Sequence, residues 1–75
     1  MADKMLDARG LNCPLPILKA ARALRDVPVG GTLEVLATDP LAPQDFSDFC
    51  RSTGSELVER EVASGVFRFV IRRGR

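Results

Sequence analysis

A cysteine followed by two prolines in alternate positions, Cys13-Pro14-Leu15-Pro16, constrains this chain more than any other stretch. Proline has a fixed φ and no amide hydrogen. It disrupts a helix interior or a central strand, yet it fits the first helical turn, where backbone amides have no intrahelical partner. Beyond it, Ile17, Leu18, Ala21 and Leu24 recur at helical spacing. The motif therefore predicts a helix over 14–25 with Cys13 as its N-cap, Pro14 at the first position and Pro16 at the third. A helix amino terminus carries partial positive charge and favours a thiolate, so this placement predicts a depressed thiol pKa and a reactive Cys13. The prolines remove two of the four free amides of a helix start, leaving those of Cys13 and Leu15. A phosphate cradle wants more donors and glycine-rich backbone, whereas one charged sulfur needs fewer.

Around the motif the chain reads as alternating strands and helices. Met5 to Ala8 is a short strand candidate, and Arg9-Gly10 turns the chain toward Cys13. Val27-Pro28-Val29-Gly30-Gly31 breaks the first helix, and Thr32 to Thr38 is a β-branched and apolar run whose Leu33, Val35 and Ala37 face the helices. Strand, helix, strand in that order is a right-handed crossover, so the first two strands run parallel. The loops carrying Cys13 and Thr38-Asp39-Pro40 then leave the same sheet end and share one rim.

Asp39 with Pro40 reads as the N-cap and first residue of a second helix, which Gly54 closes. Asp45 and Asp48 alternate there with Phe46, Phe49 and Cys50, which places Cys50 on the aromatic face as a small packed residue. Glu56 to Val62 and Val66 to Arg72 form two strands joined by Ala63-Ser64-Gly65. Phe67, Phe69 and Ile71 make the apolar face of the last strand, while the strand at 56–62 alternates too poorly for its inward face to be assigned. Arg72-Arg73-Gly74-Arg75 reads as a frayed basic tail. The expected fold class is an α/β two-layer sandwich, β-α-β-α-β-β, with two helices on one face of a four-stranded mixed sheet. At 75 residues the chain predicts one domain, 1–75, near the lower end of what a single core can stabilise.

Charge and composition exclude several functions. The formal net charge is only +1, and tyrosine and tryptophan are absent, so direct nucleic-acid binding is not expected. Histidine is also absent, which removes the usual base of a cysteine hydrolase and the commonest metal ligand; two separated thiols make a poor metal site. No stretch has the length or apolarity of a signal peptide or a membrane span, so a soluble cytoplasmic protein with no membrane partner is expected. Thiols stay reduced in that compartment, consistent with one working and one packed cysteine. The charge is uneven, however. Lys19, Arg22 and Arg25 recur every three residues along the first helix, and with Arg9 they read as a partner-docking surface beside Cys13, where positive charge would guide an acidic partner. Arg68 and Arg72 point from the opposite face of the sheet.

Asp7-Ala8-Arg9-Gly10-Leu11-Asn12-Cys13-Pro14-Leu15-Pro16, with Lys19 following, resembles the signature of the TusA/SirA-like family of small sulfur carrier proteins, whose hallmark is Cys-Pro-x-Pro at the start of the first helix. Gly31-Thr32-Leu33, Thr38-Asp39-Pro40, Phe49-Cys50, Phe67-Arg68-Phe69 and Ile71-Arg72 extend the resemblance over nearly the whole chain. Leu15 stands where several carriers have an acidic residue, and Thr38 where some have a second aspartate. The resemblance implies the same β-α-β-α-β-β fold and a sulfur held as a persulfide on Cys13. It implies a cysteine desulfurase or rhodanese-like donor and a downstream acceptor protein serving tRNA thiolation, cofactor biosynthesis or sulfur oxidation. Such a protein is a sulfurtransferase by class but a stoichiometric carrier rather than a turnover enzyme, with no cofactor beyond the transient persulfide. Two other readings compete. One is a small regulatory or nucleic-acid-associated binding module using the basic helix face. The other is a thiol redox protein using Cys13 and Cys50, which lack the Cys-x-x-Cys spacing.

Overall fold

The computed structural model describes residues 2–75, so that Met1 of the amino-terminal stretch lies outside it. The elements follow as β1 (Lys4–Ala8), α1 (Leu15–Arg25), β2 (Thr32–Ala37), α2 (Ala42–Thr53), β3 (Glu56–Ala63) and β4 (Val66–Arg72). The four strands form one mixed sheet in the order β1-β2-β4-β3, with β1 and β2 parallel and the other pairs antiparallel. The element order, the parallel β1–β2 pair and the β3–β4 hairpin are those the sequence implies; the central place of β4 beside β2 comes from the structure.

Alternation along β2 and β4 sets which face is buried. Leu33 pairs with Ile71, Val35 with Phe69 and Ala37 with Phe67, and all of these except Phe67 are fully buried beneath the helices. From the helix layer Phe46 stacks on Phe69 with ring centroids 4.8 Å apart, and Phe49 meets Phe46 edge-on at 6.2 Å. Ala20, Ala23 and Leu24 bring α1 onto the same cluster. A buried phenylalanine such as Phe46 is worth about 3–5 kcal/mol against alanine, so this aromatic contact contributes much of what holds α2 to the sheet.

The other face of the sheet is polar. Arg68 of β4 forms ion pairs with Glu34 of β2 and with Glu59 and Glu61 of β3, and Arg72 pairs with Glu56 at 3.0 Å. Arg68 and Arg72 thus lie opposite the helices, as expected. A β-bulge between Leu57 and Glu59 explains why β3 alternates poorly in the sequence: the extra residue shifts the pleat, leaving only Leu57 packed against the core on an otherwise exposed edge strand. Ser64 and Gly65, both at positive φ, make the tight turn into β4.

Several boundaries differ from the sequence reading: β1 starts at Lys4 rather than Met5, β2 ends at Ala37 rather than Thr38, β3 runs on to Ala63, and both helices start later than expected. The first helix begins at Leu15 with Pro14 as its cap, so Cys13 lies one residue before the N-cap and Pro16 occupies the second position. The second begins at Ala42 with Leu41 as its cap, because Asp39 and Pro40 belong to a turn in which the Ala42 amide donates to the Asp39 carbonyl. Gly54 ends that helix in the left-handed conformation, as its position suggests. The carboxyl-terminal segment is not a frayed tail. The Arg73 amide donates to the Gly31 carbonyl at 2.9 Å, and its guanidinium donates to the Val27 carbonyl at 2.8 Å, tying the end of the chain to the α1–β2 connection. Among the described residues no helix is long and apolar enough to cross a membrane.

Candidate functional site

The parallel pairing of β1 with β2 brings their carboxyl ends to one rim, and two hydrogen bonds tie the loops there. The Gly10 amide donates to Thr38 Oγ1 at 2.9 Å, and the Cys13 amide donates to Asp39 Oδ2 at 2.5 Å. The other Asp39 oxygen accepts from the Leu41 amide at 3.0 Å. Gly10 has φ +79, a conformation that glycine adopts without strain, and this turns the chain from β1 toward the cysteine.

Cys13 is exposed, whereas Cys50 is buried beside Phe46 and Phe49. The Cys13 thiol faces a groove lined by Pro14, Ile17, Asp45, Asp48, Phe49 and Ser52, an apolar floor with an acidic rim. Its pKa is raised, first by hydrogen bonding to the Asp45 carboxylate, then by desolvation and by the charges of Asp45 and Asp39. That reverses the depressed pKa expected from a helix terminus. The reason is local: the Leu15 amide is taken by the Asn12 carbonyl at 2.8 Å, Cys13 sits outside the helix, and the charged groups nearest the sulfur are carboxylates. Burial alone pushes the Cys50 thiol up to about 11, which leaves it protonated and packed at neutral pH.

The four basic residues read as a docking surface are dispersed. Arg9 is engaged with Asp7, its Nε and Nη2 each 2.9 Å from a carboxylate oxygen, and the Asp7 pKa falls to about 2 through those hydrogen bonds. Lys19 and Arg22 border a second groove between α1 and the open edge of β1, together with Lys4, Leu6, Leu15, Leu18, Ala23 and Asp26. Arg25 lies at the far end of the helix, sharing a different groove with Arg73 and Arg75. Residues three apart on a helix drift by about 60° per step, which is why the stripe does not stay on one face. Positive charge therefore does not surround the sulfur position as the sequence suggested. Leu15 and Leu18 are 45% and 59% exposed on the Lys19 side.

Asp45 and Asp48 escaped the sequence reading as site residues. Their signal was their spacing: three apart on α2 and out of phase with the inward Phe46, Phe49 and Cys50, they share the side that meets α1 and its preceding loop.

Comparison with known proteins agrees with this arrangement. The family model described as Sulfurtransferase TusA matches residues 4–73. The sulfur carrier protein TusA of Allochromatium vinosum is 48% identical over 71 residues, covering 95% of this chain and 93% of that protein. That of Pseudomonas aeruginosa is 44% identical over 71 residues, covering 95% and 90%. The crystal structure of a SirA-like protein from Desulfitobacterium hafniense superimposes with a TM-score of 0.77 at 29% identity, covering 96% of this chain and 99% of that one. The four-stranded mixed sheet with its pair of helices, the Cys-Pro-x-Pro loop at its rim and these matches along nearly the full chain have one explanation: the chain belongs to the TusA family of sulfur carrier proteins.

Proposed function

We propose that Cys13 carries sulfur as a persulfide between two partner proteins, and the observation that supports this most directly is the contrast between the two thiols. Cys13 stands exposed on a rim loop ahead of α1, while Cys50 is packed in the core with its thiol at about 11. In the loading step the Cys13 thiolate attacks the outer sulfur of a donor persulfide. A new S–S bond forms at Cys13, the donor's S–S bond breaks, and the donor leaves as a thiolate that takes up the proton released from Cys13. Delivery to an acceptor thiol is the same exchange run onward, with no net oxidation.

The donor is a cysteine desulfurase or a rhodanese-like protein, and the acceptor serves tRNA thiolation, cofactor biosynthesis or sulfur oxidation, in the reducing cytoplasm where a free thiol persists. Its turnover is stoichiometric, one sulfur per cycle on one cysteine. The test is intact-protein mass after incubation with a cysteine desulfurase and cysteine. One added sulfur on the wild-type protein, lost in Cys13→Ser and kept in Cys50→Ala, supports the reading. Loading that survives Cys13→Ser, or no adduct on the wild type, sinks it. Cys13→Ser leaves the fold intact because the side chain it alters is exposed.

A further inference from the structure

We infer that Asp39 is a positioning residue for the sulfur site: its carboxylate holds the Cys13 amide and so fixes where the thiol points, an inference that rests on the carrier reading of Cys13. One carboxylate serves two backbone donors from two segments. Oδ2 accepts from Cys13, twenty-six residues earlier in the chain, at 2.5 Å; Oδ1 accepts from Leu41, at the cap of α2, at 3.0 Å. The Cys13 loop is thereby tied to the start of the helix that carries Asp45 and Asp48.

The loop needs such a tie. Leu11 packs against the core, and the loop's hydrogen-bonded hold on the sheet consists of the Gly10 amide on Thr38 Oγ1, the Leu11 amide on the Ala8 carbonyl at 3.3 Å, and this bond. The Leu15 amide turns back on the Asn12 carbonyl and so anchors the loop only to itself. Because Pro14 and Pro16 have no amides to offer, Cys13 supplies the donor nearest the sulfur that a residue outside the loop can grip. A hydrogen bond to a carboxylate is about twice as strong as a neutral one, which suits an exposed loop that must keep one orientation. In-line attack on a donor sulfur depends on that orientation, since a misplacement of about 1 Å can cost on the order of a hundredfold in rate.

Asp39→Asn separates this role from mere packing. The amide keeps the side chain's volume but has one acceptor oxygen in place of two, so either Cys13 or Leu41 loses its partner. Three measurements decide the matter. Single-turnover sulfur transfer at saturating donor falls about tenfold or more, with the half-saturating donor concentration changed much less. Alkylation of Cys13 by iodoacetamide, followed against pH in a Cys50→Ala background, shifts to lower pH, because the thiol loses the Asp39 charge and loosens from Asp45. The charged groups facing it are Asp39 from the rim loop and Asp45 and Asp48 from α2, while Arg9 is bound to Asp7. In the wild-type protein, which needs no variant to fold, a scalar coupling across the hydrogen bond connects the Cys13 amide nitrogen to the Asp39 carboxyl carbon. A saturating rate within twofold of wild type, an unmoved alkylation profile, or a Cys13 amide without coupling to the Asp39 carboxyl overturns the inference. If the wild-type protein takes up no sulfur at all, the carrier reading fails, and the two measurements that need no donor still decide whether Asp39 holds Cys13.

Discussion

Asp45 and Cys13 line one groove at the sheet rim, and the Asp45 carboxylate, by favouring the protonated thiol, is the largest cause of the raised Cys13 pKa, so the residue best placed to influence the sulfur is an acid on the second helix. A neighbouring negative charge disfavours a thiolate, and here it raises the thiol above its ordinary value. Asp45→Asn should therefore lower the Cys13 pKa and speed its alkylation at neutral pH, where the thiolate fraction limits the rate. The check is the rate with iodoacetamide from about pH 6 to 10. A profile that stays in place, or moves to higher pH, contradicts the assignment of Asp45 as the main cause.

Cys50 is 4% exposed among Phe46, Phe49 and the sheet, and has no route to a partner's sulfur. Cys50→Ala removes one buried atom from that cluster, so a loss of about 1 kcal/mol of unfolding free energy is expected, with sulfur transfer unchanged. Denaturant midpoints at constant slope measure the first and single-turnover transfer the second. Unchanged stability combined with lost transfer would assign Cys50 a chemical role.

The same residue gives the fold an alkaline limit. The Cys50 thiol ionises near 9.0 in the unfolded chain and at about 11 in the folded one, so the folded state binds the proton more tightly. Its contribution to stability is complete below the unfolded value and is lost as pH rises through the window between the two. In a Cys13→Ser background, which removes the other raised thiol, the denaturation midpoint should fall between about pH 8.5 and 11, and the additional Cys50→Ala change should flatten that fall. Parallel pH dependences with and without Cys50 would show that its thiol is not the titrating group.

Much of this was legible from the chain because it rests on periodicity and on glycine. Leu33, Val35 and Ala37 alternate against Phe69 and Ile71, and that pattern places the helices; Gly54 marks where α2 must stop. What stayed hidden depends on pairing across distance. The Asp39 carboxylate reads locally as a helix cap, and only the parallel register of β1 and β2 shows that it reaches Cys13. The thiol's surroundings were misjudged for the same reason: sequence proximity favours Arg9, whereas Asp7 occupies Arg9 and the fold delivers Asp45 from thirty-two positions away. The bulge in β3 defeated a period-two reading because a single extra residue inverts every side chain beyond it.

Docking is the remaining test of charge. A carrier meets its donor and its acceptor in turn, and transient encounters of this kind rely on electrostatic steering and a modest contact surface. Of the four cations first read as a docking surface, Arg9 is neutralised by Asp7 and Arg25 lies at the distant end of α1, leaving Lys19 and Arg22 beside the exposed Leu15 and Leu18. Reversing both to glutamate should slow sulfur transfer from the donor, chiefly by lowering the association rate at low ionic strength. Added salt should slow the wild type toward the variant as screening removes the steering. The matched control is Arg60→Glu with Arg72→Glu, an equal change of net charge placed on β3 and β4. Arg68 is avoided because it holds Glu34, Glu59 and Glu61 together, and its reversal would set four acids against one another. Transfer rates measured against salt for the three proteins decide it. Equal rates for the wild type and the Lys19/Arg22 reversal at low salt, or an equal loss in the control, would remove the first-helix surface as the docking site and leave the chemistry of Cys13 untouched.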